Sequence, residues 1–177
     1  LAGYVGFLRA GSVPLLVSNT IDHQLLNNIV ETYQPAYLYL PTELAISFQK
    51  YKTVFEHEDY VLIKYNLQSV YILNDDLALL LSTSGSTGSP KYVRQSYRNI
   101  ESNTESIARY LEIGEEDRAI TTMPMNYTFG LSIINTHLIK GASIILTEAS
   151  LINKNFWEVF KNNNATNLSG VPYIFEI

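Results

Sequence analysis

The residues best suited to chemistry sit in one run, STSGSTGSPK, from Ser82 to Lys91. Six of its first eight residues carry a hydroxyl and the other two are glycines; a proline and a lysine close it. Phosphate oxygens need N–H and O–H donors and positive charge. Glycine lets successive backbone N–H groups turn toward one anion. Ser and Thr add donors without bulk, and Lys91 adds a mobile charge. Composition alone leaves two readings open, a phosphate-binding loop and a plain polar turn. The run is not a Walker loop, which needs Gly-Lys-Ser/Thr leading directly into a helix, nor the dinucleotide Gly-x-Gly-x-x-Gly. Pro90 pushes Ser89 out of the helical region, so the chain is expected to leave the run extended, as the alternation in KYVRQS also indicates.

Other candidate groups are weaker. His23, His57 and His137 are scattered and none has a partner at metal spacing, so packing or surface roles are expected and no metal site is assigned. Glu115, Glu116 and Asp117 read as a solvated turn before a strand, as do Asp75 and Asp76. No carboxylate pair has the placement for acid–base work. Arg94 and Arg98 flank the glycine run and are expected at the surface. The 13 tyrosines are dispersed and form no stacking stripe of the kind that binds single-stranded nucleic acid.

These residues must be positioned by a frame of 177 residues, enough for one domain with a real core. With 46% hydrophobic and 16% charged residues the chain belongs to the globular class. A net charge of −5 gives no polyanion-binding surface, which excludes nucleic acid as the expected partner. The absence of cysteine excludes a disulfide scaffold and fits the cytoplasm. Leu1–Ser18 is apolar but broken by Arg9, Gly11 and Pro14, too short to span a bilayer.

Strand and helix patterns alternate along the chain. Helices are expected at Leu1–Arg9, Asp22–Tyr33, Thr42–Tyr51, Phe129–Lys140 and Asn153–Asn163. A further helix is capped by Ser96 with Asn99 at its third position, carries Ile100, Ile107, Ala108 and Leu111 on one face, and is closed by Gly114. Strands are expected at Leu15–Ser18, Ala36–Leu40, Tyr60–Ile63, Val70–Leu73, Leu77–Ser82, Tyr92–Ser96, Arg118–Met123, Ser143–Thr147 and Asn167–Val171. Leu77–Ser82 is apolar without alternation, as when both faces are covered. The pattern predicts an α/β fold of three layers, α/β/α, around a mostly parallel sheet. Ligands of such sheets sit beyond the carboxyl ends of the strands, where the glycine run falls.

The order of residues adds to their composition. The run resembles the Thr-Ser-Gly-Ser/Thr-Thr-Gly-x-Pro-Lys signature of the adenylate-forming (AMP-binding) superfamily, which includes acyl- and aryl-CoA synthetases, adenylation domains and luciferases. Thr83, Ser84, Gly85, Ser86, Thr87, Gly88, Pro90 and Lys91 all match. Phe7–Ser18 is similar to the upstream Leu-Lys-Ala-Gly segment, Met123–Ser132 to the segment that runs past the acyl pocket, and Gly170–Ile177 to the Val-Pro stretch that follows. The resemblance implies a partial domain over residues 1–177, the middle of an acyl-CoA synthetase-like N-terminal domain, with both ends read as cuts through a longer protein.

It also implies an ATP-dependent carboxylic acid ligase. A carboxylate would attack ATP to give an acyl-adenylate and pyrophosphate, and a thiol such as coenzyme A or a carrier-protein phosphopantetheine would then take the acyl group. Thr83, Ser84, Gly85, Ser86, Thr87, Gly88 and Lys91 would bind the phosphates, with Lys91 as an auxiliary catalytic group. Tyr127, Phe129 and Gly130 would line the acyl pocket. Most ligands of the expected Mg²⁺ would lie outside this stretch. The piece alone is expected to be inactive and to bind ATP weakly, and a homodimer through an exposed sheet edge is expected. Two departures, Tyr92 where the family often has Gly and Tyr97 where it often has His, support a rival reading: a non-catalytic binding module that keeps the fold.

Overall fold

A computed structural model of the chain describes residues 1–66, 71–82 and 91–172. Helix α1 (Ala2–Arg9) leads into strand β1 (Leu15–Leu16). Helix α2 (His23–Tyr33) starts at Asp22, whose carboxylate accepts from the Gln24 and Leu25 N–H groups. It ends on Gln34 in the left-handed region, just before Pro35. Strand β2 (Tyr37–Pro41) and helix α3 (Thr42–Ala45) follow. The helix expected to reach Tyr51 instead tightens into a 3-10 turn, Ile46–Phe48, and the chain then enters an unexpected strand, β3 (Lys52–His57). Glu58 and Asp59 turn it into β4 (Tyr60–Lys64), with Glu58 at φ 50°.

The three strands form an antiparallel sheet in the order β2-β4-β3. Alternation does the sorting. Leu38 and Leu40 of β2 and Val61 and Ile63 of β4 pack with Leu26, Val30, Leu44 and Phe48 from α2 and the α3 segment. Of the expected strand at Val70–Leu73, Val70 lies outside the described residues and Tyr71–Leu73 is exposed and is not assigned to a strand. Apolar character alone does not make a strand, which needs a partner to take its ladder hydrogen bonds.

Strand β5 (Leu77–Ser82) is the centre of a second sheet, β1-β5-β6, with β6 at Tyr92–Ser96. It pairs in parallel with β1 and antiparallel with β6. Ala78 and Leu79 are fully buried, and Leu79 and Leu81 share a cluster with Tyr4 of α1 and Leu131. Helix α4 (Tyr97–Tyr110) begins on a capping box: Ser96 Oγ accepts from the Asn99 N–H at 3.1 Å, and Asn99 Oδ1 accepts from the Ser96 N–H at 3.2 Å. The left-handed residue that ends α4 is Glu112, at φ 54°, in place of the expected Gly114, and Leu111 is exposed.

The remaining chain forms the unit β7 (Arg118–Ile120), α5 (Thr128–Ile139), β8 (Ser143–Ile145), α6 (Lys154–Asn162), β9 (Asn167–Leu168). Its sheet is all parallel in the order β8-β7-β9. The two crossovers run in opposite directions across β7, so the right-handed rule sends α5 and α6 to opposite faces. Ile120 and Phe156 are fully buried there. The α/β class expected from the sequence holds. The parallel share is smaller than alternation suggests, because the β2–β4, β3–β4 and β5–β6 pairs bring three antiparallel pairings beside three parallel ones among the described residues.

Candidate functional site

Ser82 and Tyr92 face each other as the last residue pair of β5 and β6. The glycine run therefore departs from and returns to the same end of the second sheet. Of the residues expected to hold phosphate, Thr83, Ser84, Gly85, Ser86, Thr87 and Gly88 lie outside the described residues, as does Pro90; Lys91 is described and stands exposed beside Tyr92.

A cleft of about 530 Å³ opens at this end. Leu81 and Ser82 of β5, Val93 and Gln95 of β6, Asn103 and Ile107 of α4, and Tyr127, Thr128, Phe129 and Ser132 around the start of α5 line it. Two acyl-pocket candidates, Tyr127 and Phe129, are thus brought together with the strand that enters the glycine run. They remain 42% and 37% exposed although aromatic, because they face this cleft instead of a core.

Gly130, the third candidate, lies beneath them and is buried. A Cβ there would collide with the carbonyl oxygens of Pro124 and Met123, the latter at 2.7 Å. Its role is to let the first turn of α5 sit on the preceding segment, which aims Tyr127 and Phe129; it is not itself a lining residue. The turn is pinned by the Tyr127 N–H donating to Pro124 O at 3.1 Å. No side chain caps the first turn of α5, so the positive end of this helix dipole opens beside Phe129.

The lining is neutral: aliphatic and aromatic groups with the hydroxyls of Ser82, Thr128 and Ser132 and the amides of Gln95 and Asn103. Ser132 donates to Phe129 O at 2.7 Å, which fixes that hydroxyl. Such a wall can hold the body of an organic acid by apolar contact and orient it with a few hydrogen bonds. Sequence reasoning did not find Gln95, Asn103 and Ser132 as cleft residues. The available signals were their spacings: Val93 and Gln95 at strand period, Asn103 and Ile107 at i, i+4, Phe129 and Ser132 at i, i+3.

The two departures from the family pattern turn away from the cleft. Tyr92 packs edge-on against Tyr33 of α2 with ring centroids 5.3 Å apart. Burial there pushes its phenol up to about 12, with Tyr33 adding to the shift. The Tyr97 hydroxyl is directed to Leu8 O, at 3.5 Å. His137 is a buried packing residue: Nδ1 lies 2.8 Å from Ile133 O, so it carries the proton, and Nε2 accepts from Asn167 Nδ2 at 3.1 Å. Arg94 and Arg98 are exposed. Asp117 is a structural acceptor: the Gly114 N–H and the Thr166 hydroxyl donate to it at 2.8 and 2.9 Å. These bonds hold its carboxyl below the usual range.

Comparison with known proteins bears on the fold and the family. The D-alanine–D-alanyl carrier protein ligase of Staphylococcus aureus (strain Newman) is 27% identical over 159 residues, covering 87% of this chain and 32% of that protein. Among solved structures, the o-succinylbenzoate CoA synthetase of Bacillus subtilis in complex with its acyl-adenylate intermediate matches with a TM-score of 0.70 at 20% identity, over 98% of this chain and 46% of that one. The MatB structure from Rhodopseudomonas palustris, without ligand, matches with a TM-score of 0.70 at 21% identity, over 98% and 37%. The chain thus spans between a third and a half of the length of these relatives. At that identity the solved structures establish the fold alone. The model of the AMP-binding enzyme family matches residues 1–177, the whole chain, and the chain belongs to that family.

Proposed function

We propose that the protein containing this chain activates a carboxylic acid at the expense of ATP. The single observation that carries the reading is the shared cleft: the strand end that enters STSGSTGSPK and the aromatic start of α5 wall one cavity of about 530 Å³. An apolar pocket walled by the strand that leads into a run of phosphate-binding composition suits a reaction that joins an organic acid to a nucleotide. The carboxylate oxygen attacks the α-phosphorus. The bond from that phosphorus to the bridging oxygen of the β-phosphate breaks, and pyrophosphate leaves. A thiol then attacks the acyl carbon, and AMP departs with the oxygen that the carboxylate contributed.

The neutral lining fits this chemistry. A carboxylate is ionised at neutral pH, so the attacking group needs no general base. Phosphoryl and nucleotidyl transfer rest mainly on positioning and charge neutralisation. Thr83, Ser84, Gly85, Ser86, Thr87 and Gly88 supply the donors around the β- and γ-phosphates, and Lys91 supplies charge to the departing pyrophosphate. Tyr127 and Phe129 pack against the acid, and the open first turn of α5 favours its negative end. Magnesium accompanies ATP phosphates in most such sites. No group of three candidate metal ligands stands among the described residues, so no ligand is assigned to it in this chain.

The acceptor is a thiol of coenzyme A or of a carrier-protein phosphopantetheine. Relatives named for each kind of acceptor support that class. No helix among the described residues is long and apolar enough to cross a membrane. The rival reading, a binding module without chemistry, rested on Tyr92 and Tyr97. Both pack away from the cleft and leave it open, which favours the enzyme. Exchange of labelled pyrophosphate into ATP by the full-length protein, across a panel of carboxylic acids, tests the choice. Exchange dependent on one class of acid supports the ligase; ATP binding with no exchange for any acid supports the module.

A further inference from the structure

Among the described residues, strand β3 has a neighbour on one side only, β4. All six of its residues are exposed, including Val54 and Phe55 at 43% and 55%. An open edge of this length, with two apolar side chains on it, offers unpaired backbone groups to another strand. A β-bulge at Val54 and the charge of Lys52 are the usual devices that blunt such an edge. The charge here, however, is distributed in a particular way. Lys50 and Lys52 stand at the start of the strand; Glu56, Glu58 and Asp59 stand at its end and in the turn. A strand that is basic at one end and acidic at the other repels a parallel copy and attracts an antiparallel one.

A second observation lies at the basic end. Lys50, Lys52 and Lys64 line a groove of about 550 Å³ with Tyr37, Tyr51 and Tyr65. Lys52 is directly opposite Lys64 across the ladder, an arrangement that costs stability unless an anion relieves it. Lys50 sits over the Tyr51 ring, 5.0 Å from its centroid. None of the three lysines forms an ion pair with a described residue. Neither do Glu56, Glu58 and Asp59. Three uncompensated cations cluster in one groove of a chain whose net charge is −5, and the uncompensated anions stand at the other end of the same strand.

We propose that β3 is the interface of a two-fold homodimer, in which the strands of two copies pair antiparallel about Val54 and Phe55. The pairing sets Val54 of each copy against Phe55 of the partner subunit. The acidic turn of each copy then lies in the lysine groove of the other. The interface is isologous, so every contact occurs twice. It lies on a different sheet from the cleft and leaves the cleft unobstructed.

The test uses the full-length protein and two charge-reversed forms. One carries Lys50→Glu with Lys52→Glu, the other Glu56→Lys with Glu58→Lys. Sedimentation over a wide concentration range should give a dimer for the natural sequence, weakened by salt. Each reversed form alone should dimerise at least about tenfold more weakly, since the reversed charges face like charges across the interface, with Lys64 or Asp59 left as the unreversed partner. An equimolar mixture of the two should recover dimers, now mixed ones, and pyrophosphate exchange should be unchanged in both as evidence of intact folding. A natural protein that stays monomeric at every concentration overturns the proposal. So do reversed forms that dimerise as well as the natural one, or a mixture that fails to recover. Binding of a poly-glutamate peptide by a monomeric natural protein would instead assign the groove to an acidic segment of another protein.

Discussion

Replacing Gly130 by Ala isolates the packing that aims the cleft aromatics. The added methyl meets Met123 O at 2.7 Å and the Pro124 carbonyl carbon at 2.9 Å. Both are backbone atoms, so no side chain can rotate out of the way. Overpacking of this kind costs about 1–3 kcal/mol. Ala gains about 0.5–1 kcal/mol over Gly inside a helix, and Gly130 lies in the first turn of α5, so the gain is at the low end. The expected net loss is about 1–2 kcal/mol, read as a fall in the urea midpoint at constant slope. Gly6 is the control: it lies within α1 and a Cβ there meets nothing within 4 Å. Gly6→Ala should therefore stabilise by about 0.5–1 kcal/mol. Equal stabilisation by both substitutions would refute the claim that α5 is seated on the Met123–Pro124 backbone.

Four further outcomes follow from the same structure. Glu112→Gly should stabilise by about 1 kcal/mol, since a non-glycine residue there pays for φ 54°; a loss in thermal unfolding would show that its side chain matters more than its backbone. Asp117→Asn should be less stable than the natural protein at neutral pH. The folded state depresses this carboxyl below its ordinary value of 3.8, so its contribution is present above that pH and disappears as pH falls through the depressed value; the gap between the two proteins in urea titrations should close on acidification. Phe129→Ala should raise the KM for the acid in pyrophosphate exchange and leave that for ATP little changed, whereas the reverse pattern would move Phe129 out of the acyl pocket. Calorimetry on residues 1–177 alone should detect only weak ATP binding, because few contacts would offset the entropy of association.

Much of the frame was legible because period and punctuation agreed. Asp22 before α2, the Ser96–Asn99 box before α4 and the unbroken apolar run of β5 each announce an element through its own chemistry. Strand β3 was not legible. Its residues are all exposed, so they show no apolar alternation, and its turn is Glu58–Asp59 with φ 50° at Glu58, where a glycine or asparagine signal would normally stand. The reverse failure occurs at Tyr71–Leu73, which are apolar but form no strand among the described residues. At the site, Tyr127 and Phe129 were found through resemblance to a known segment. Gln95, Asn103 and Ser132 come from three separate elements, and only the packing of those elements makes them neighbours. The glycine run, from Thr83 to Pro90, lies outside the described residues, so its reading rests on its order of residues alone.

The central claim is that a carboxylate attacks the α-phosphorus of ATP. The most direct measurement gives the full-length protein its acid labelled with ¹⁸O in the carboxylate, with ATP and a thiol acceptor, and follows the label by mass spectrometry. The account predicts AMP carrying one ¹⁸O and unlabelled pyrophosphate, because the oxygen that forms the new bond leaves with AMP when the thiol takes the acyl group. Label in inorganic phosphate, with ADP as the nucleotide product, would mean attack at the γ-phosphorus and would contradict it.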